Sequence, residues 1–343
     1  MTEKVKVTRS NLVLTGLLVA VLVFTGCAKK RPQAADSPND SANTIDKIRL
    51  GIMASGTLVP DVGNYYGIFA KNNLEVETVT FAAGINSIDA ISIGQLDVGF
   101  AADFAILNRI GGTQNSPLRI FTGYSVNLNT YELYSKDPAI KTPADLAGKS
   151  VVTLLGTVYE YYYAKTWAAL GIPESQIKYL PVDSALEAAA IIQAGSGQAF
   201  YANGRAAEAL LAIDGVRSIG KLSDYVESTV AIFIASDRYL NEHSRAIEKF
   251  LKSVDEIYSI VLKDQETAAD IVYKASSIPR ELTLLNFKTI DYKIEFDQQF
   301  YDAMNNVLQW ANEKGVIKYP YDLHNYVNVD SLKKVFPGRG NFK

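Results

Sequence analysis

The chain has 343 residues, 48% of them hydrophobic and 21% charged, and a formal net charge of −3. That length holds two α/β domains of ordinary globular composition. The mildly acidic balance gives no reason to expect nucleic acid as a partner, and one cysteine with two histidines excludes an intrachain disulfide and a cysteine metal site.

The amino terminus is basic (Lys4, Lys6, Arg9) and leads into an apolar run at 12–24. The run is shorter than the roughly 20 residues a spanning helix needs, so 1–26 reads as a secretory signal. Phe24-Thr25-Gly26-Cys27 resembles a bacterial lipobox, with Phe24 where most lipoboxes carry Leu. This makes Cys27 the expected lipidated first residue of the mature chain. Residues 27–46 are rich in Pro, Ser, Asn, Asp and Ala without apolar periodicity, as in a flexible tether.

The folded body is expected from Lys47. Strands are predicted at 48–53, 74–81, 96–101 and 118–124, with helices opening at Pro60-Asp61, at 84–93 and at 104–110. This alternation implies a mostly parallel sheet with helices on both faces. The pattern then repeats. A strand at 131–135 and a short helix at Thr142-Pro143-Ala144-Asp145 precede the most informative stretch, 148–171. There Val151 to Leu155 read as a buried strand, Gly156 permits a turn, Thr157 caps a helix, and Gly171 ends it. Tyr163, Trp167 and Leu170 follow at i, i+4, i+7. The N–H groups of Thr157, Val158 and Tyr159 are expected to be unpaired at the strand's carboxyl end, where they suit an anion or polar group.

A strand at 177–182, a helix at 184–194, a strand at 198–202 and a helix at 205–213 complete this half. An offset of 101 residues lays it on the first, with Val76 on Ile177, Gly94 on Gly195 and Phe100-Ala101 on Tyr201-Ala202. Residues 229–236 read as an extended crossover back. A long helix at 241–262 carries a stripe of Ile247, Phe250, Val254, Ile257 and Val261. Further helices are predicted at 267–275, 280–287 and 296–314, all packing on the first half. The tail is expected to be irregular, with Asp330 and Ser331 starting a last turn of helix.

Several short motifs occur in a fixed order. They are Gly67-Ile68-Phe69 with Asn73-Leu74-Glu75-Val76-Glu77, and Ile93-Gly94-Gln95-Leu96-Asp97-Val98-Gly99. Then come Ile140-Lys141-Thr142-Pro143-Ala144-Asp145-Leu146-Ala147-Gly148-Lys149, Gly171-Ile172-Pro173 and Gly315-Val316-Ile317. In this order the chain from about Lys47 to Phe336 resembles the periplasmic substrate-binding proteins of ABC transporters, in the nitrate/sulfonate/taurine and thiamine-precursor group. The resemblance implies a type II periplasmic-binding-protein fold: two lobes joined by two crossover segments and closing on a small solute. The lobes would be 47–128 with 230–343, and 129–229.

By position, the resemblance puts ligand loops at Ser55-Gly56-Thr57, Gly84-Ile85-Asn86 and Ala102-Asp103 in the first lobe. In the second they are Gly156-Thr157-Val158-Tyr159, Asp183-Ser184 and Tyr201 to Asn203, with Tyr124 to Asn127 at the crossover. All lie at carboxyl ends of strands or at helix starts, where open α/β sheets bind ligands. Amides and hydroxyls of this kind suit an organic anion such as a sulfonate. Against a simple anion, spacing places no Arg or Lys in the cleft. Tyr65, Tyr66, Tyr124, Tyr159 and Tyr201 are available to stack on a ring, which keeps a pyrimidine or other heterocycle open. Gln198 stands where the family often has an acid.

The implied role is an extracytoplasmic, lipid-anchored, monomeric protein that hands a small molecule to an ABC permease and its ATPase, with no cofactor and no turnover. Two alternatives stay open. Fungal pyrimidine synthases share the fold, but they carry a cysteine-rich iron motif and this chain has no cysteine after Cys27. His243 and His324 have no spaced partner for a triad or metal. A receptor module reporting a solute to a sensor kinase is the other.

Overall fold

The computed structural model describes residues 44–53, 56–127, 130–226 and 229–343. The expected signal, Cys27 and most of the expected tether lie outside these residues, as does Ser55. The eleven strands among the described residues are β1 (Asp46–Met53), β2 (Leu74–Phe81), β3 (Val98–Ala102), β4 (Leu118–Asn127), β5 (Glu132–Ser135), β6 (Ser150–Thr153), β7 (Lys178–Pro181), β8 (Phe200–Ala202), β9 (Arg217–Lys221), β10 (Thr229–Ser236) and β11 (Ile290–Tyr292). In β1 the alternation of DKIRLGIM turns Ile48, Leu50 and Ile52 into the core. Asp46, assigned to the tether by composition, opens this strand opposite Leu74 and is held by Arg245 and Lys249.

Six strands form one sheet in the order β11-β4-β10-β3-β1-β2, while β8-β5-β9 and β6-β7 form smaller ones. A parallel bridge between Val151 and Ala199 joins the smaller two. The resulting order β9-β5-β8-β6-β7 repeats β4-β10-β3-β1-β2. The pairs β1–β2, β1–β3 and β6–β7 are parallel. The sheets are nevertheless mixed rather than mostly parallel. β10 lies antiparallel between β3 and β4, and β5 antiparallel between β8 and β9. Each follows a crossover, so it enters its sheet from the carboxyl end of its neighbours and must run against them.

The 101-residue offset holds element by element. The helices Gly84–Ser92 and Asp103–Gly111 have counterparts in Ala185–Gln193 and Gly204–Leu211. Gly94 and Gly195 both end their helices at positive φ, 75° and 72°. Asp97 Oδ2 accepts the Arg49 N–H at 2.8 Å, and Gln198 Oε1 accepts the Ser150 N–H at 3.1 Å, one offset on. The Asp97 and Gln198 amides return bonds to Arg49 O and Ser150 O. Gln198 thus ties two strands with a neutral oxygen where Asp97 uses a carboxylate.

The apolar stripe from Ile247 to Val261 is buried against the first sheet, and its helix runs Ser244–Lys263. The helix expected from 241 is interrupted at His243, whose φ of −125° leaves the helical region. Gln265–Ser276, Arg280–Thr289, Gln298–Glu313 and a last turn at Asp330–Val335 follow. β9 and β11 fall where no strand was expected.

Candidate functional site

A cavity of about 570 Å³ opens at the carboxyl ends of β2, β6 and β7. Its apolar wall is Phe81, Ile85, Leu154, Leu155 and Val182, and its polar side is Thr80, Asn86, Arg109, Thr157 and Asp183. Three helices begin around it: Gly84–Ser92, Val158–Leu170 and Ala185–Gln193. The first comes close because Gly84 has no side chain. A Cβ there would lie 2.8 Å from the Ala101 Cβ on β3. Gly156, at φ 72°, faces Ile85 across the opening, where its own Cβ would meet Ile85 Cδ1 at 3.0 Å.

Of the expected ligand residues, Ile85, Asn86, Thr157 and Asp183 therefore meet in one cavity, with Gly84 and Gly156 behind them. Gly56 and Thr57 shape the first loop. The Gly56 N–H donates to Met53 O at 2.8 Å, and Thr57 Oγ1 donates to Asp61 at 2.6 Å. Burial raises the Asp61 carboxyl above its ordinary range. Asn86 turns its Oδ1 back to the Ala83 N–H at 3.0 Å.

The amino end of Val158–Leu170 differs from expectation. The Tyr159 N–H goes to Thr157 Oγ1, and the Gly156 N–H goes to the carboxylate of Glu160. The chain supplies its own anion at this terminus, and burial raises Glu160.

Spacing also missed the cation of the site. Arg109 reaches the cavity from Asp103–Gly111 and is aimed by Asp89, with Nε 2.8 Å from Oδ1 and Nη2 donating to Oδ2 at 3.0 Å. One hydrogen bond and the close charge pair hold the guanidinium against Asp89. Nothing in the sequence signals this, because the two residues belong to different helices.

The remaining expected residues lie deeper. Asp103 is 1% exposed, and burial pushes its carboxyl up to about 6 against two N–H bonds. Those bonds come from Phe104 at 2.7 Å and Val230 at 3.3 Å. Tyr159 stacks on Phe200 and meets Tyr131 and Tyr162 edge-on. Asn203 Nδ2 donates to Thr130 Oγ1 at 3.4 Å, and Asn127 Oδ1 accepts the Thr130 N–H at 3.4 Å. Ala102 ends β3, and Val158 is buried.

Tyr124 and Tyr201 are placed in the interior, away from the cavity wall. Tyr124 stacks on Phe100 at 4.5 Å, and Tyr201 is fully buried with its hydroxyl 2.8 Å from Thr166 Oγ1. Tyr65 and Tyr66 are exposed and pack on each other. His243 and His324 are both exposed.

Solved structures share this architecture. The alkanesulfonate-binding protein SsuA from Xanthomonas axonopodis pv. citri, bound to MOPS, matches with a TM-score of 0.72 and 16% identity, over 83% of this chain and 99% of that one. The aliphatic sulphonate binding protein SsuA of Escherichia coli gives 0.70 and 17%, over 82% and 92%. The nitrate-binding protein NrtA of Synechocystis PCC 6803 gives 0.68 and 14%, over 85% and 88%. Comparison with curated proteins finds no match. At these identities the structures establish the two-lobed periplasmic-binding-protein fold. The NMT1/THI5-like family model matches residues 62–268, more than half of the chain, and the chain belongs to the NMT1/THI5-like family.

Proposed function

We propose that this protein is an exported lipoprotein, anchored through Cys27, that captures a small organic anion and delivers it to an ABC permease and its ATPase. In this reading 47–128 with 230–343 form one lobe, 129–229 form the other, and the lobes close on the solute without chemical turnover. The observation that carries it is the cavity: about 570 Å³, three helix starts around it, and one guanidinium aimed by Asp89. A guanidinium suits an oxyanion, and the wall of Phe81, Ile85, Leu154 and Leu155 suits an apolar body. The volume favours an organic solute over bare nitrate. The sulfonate-binding neighbours are consistent with this choice.

A second reading, an aromatic or pyrimidine-like solute, draws on Phe81 in the wall and on the tyrosines below it. A sensor-associated receptor would use the same site. The test is a thermal-shift panel of sulfonates, nitrate and pyrimidines on protein lacking residues 1–27. Ligand at 100 times its dissociation constant is expected to stabilise the fold by about 2.7 kcal/mol. Stabilisation by pyrimidines and not by sulfonates would transfer the assignment to the second reading.

A further inference from the structure

The cavity is charged unevenly, and the internal repeat shows where. The 101-residue offset that lays Gly84–Ser92 on Ala185–Gln193 also lays Ala82 on Asp183 and Asn86 on Glu187. Ala82, Asn86 and Asp183 line the cavity. Asn86 and Glu187 are each third in their helix, and each caps its own helix start. Asn86 Oδ1 accepts the Ala83 N–H at 3.0 Å, and Glu187 Oε2 accepts the Asp183 N–H at 3.0 Å. A neutral amide suffices in the first half, so capping alone does not call for a carboxylate in the second. The Val158–Leu170 start makes the same acidic choice, with Glu160 third in the helix and bonded to the Gly156 N–H. Among the described lining residues Arg109 is the one cation, and its repeat partner in the second half is the buried Leu210.

A helix start carries a partial positive charge. Glu160 and Glu187 cancel it at both second-half starts, and Asp183 adds a negative charge in the wall itself. At Gly84–Ser92 the amide cap leaves it in place, in the same half as Arg109. An anionic head is therefore drawn to the first half. A second negative charge at the far end of the solute meets carboxylates, in a site where closure removes the water that would screen them.

We propose that Asp183, Glu160 and Glu187 are a charge filter: the first half takes one anionic head, and the second half turns away solutes that carry another negative charge at their far end. This rests on the solute-binding reading above and narrows it to monoanions, excluding disulfonates, dicarboxylates and their like. Leu154, Leu155 and Val182 give the uncharged end an apolar wall in the second half.

Matched probes test it: butane-1-sulfonate against butane-1,4-disulfonate, and benzenesulfonate against benzene-1,4-disulfonate, measured by calorimetry on protein lacking residues 1–27. The monoanion of each pair is expected to bind the wild type at least about tenfold more tightly. Glu160→Gln with Glu187→Gln keeps both caps, because Gln still accepts the N–H. This double variant is expected to raise dianion affinity at least about fivefold and monoanion affinity by less, and adding Asp183→Asn is expected to close the gap further. If the variants do not fold, salt serves: raising it from about 0.01 M to about 0.15 M should narrow the wild-type gap. Equal affinity within the pairs overturns the proposal and leaves solute binding standing. So does a gap that survives in the triple variant or does not narrow with salt, since the apolar wall alone then rejects the second charge. If neither member of any pair binds the wild type, the proposal falls, and solute binding falls with it only if no small molecule copurifies.

Discussion

Arg109 and Asp103 sit on one short helix, Arg109 lining the cavity and Asp103 buried beneath the surface. Arg109 and Asp89 are both substantially exposed, so their pair contributes at most about 1 kcal/mol to folding. Its value to a bound oxyanion is larger, because a hydrogen bond to a charged group carries about 1.5–3 kcal/mol. Arg109→Gln is therefore expected to lower affinity for an anionic solute by roughly 10- to 100-fold in calorimetry. The urea midpoint should stay nearly unchanged. Asp103 behaves differently. Burial lifts its carboxyl from 3.8 to about 6, which favours the protonated folded state. Its contribution to stability is full below the unfolded value and is lost as pH rises through about 6, amounting to about 3 kcal/mol. Chemical denaturation should show wild type losing stability relative to Asp103→Asn between about pH 4 and pH 6. Parallel pH profiles for the two proteins would contradict the burial of a charge there.

Elements reveal what periodicity reads and what it cannot. β1 and the Ser244–Lys263 stripe were legible because one face of each must be apolar. The 101-residue offset was legible because the same core positions recur in both halves. β9 was not, since Ile219 is its one fully buried side chain, and β11 is three residues long. The cavity was legible as loops at strand ends, which brought Ile85, Asn86, Thr157 and Asp183 into view. It was not legible which loops point outward. The resemblance put Tyr201 at a ligand loop, yet its ring fills the second half's core, and the Glu160 cap depends on side-chain placement that spacing does not encode. The paired clasp is testable at this scale. Asp97→Ala and Gln198→Ala each free one half-buried strand amide, Arg49 and Ser150 respectively, and each should cost about 1 kcal/mol in urea unfolding. Gly84→Val would drive a side chain into Ala101 and should weaken both stability and solute binding, as seen in melting temperature and calorimetry.

Across the whole molecule, two sheets of equal strand order exchange one strand each through the crossovers, and side chains then meet between them. Trp310, on Gln298–Glu313, lies 5.5 Å from Phe104 and 5.0 Å from Tyr161 of the second half. Lys314 reaches Glu174 at 3.4 Å beside it. Trp167 is buried within the second half. In a Trp167→Phe variant the remaining indole should change its emission when solute draws the halves together, whereas Trp310→Phe should stay silent. The account as a whole depends on capture without turnover. Native mass spectrometry of the chain lacking residues 1–27, purified from its own host, tests this most directly. The expected spectrum shows one small organic molecule per chain, its mass unchanged on prolonged incubation and its occupancy lost in Arg109→Gln. A chain that never carries a ligand, or a bound mass that converts to another with time, would contradict the account.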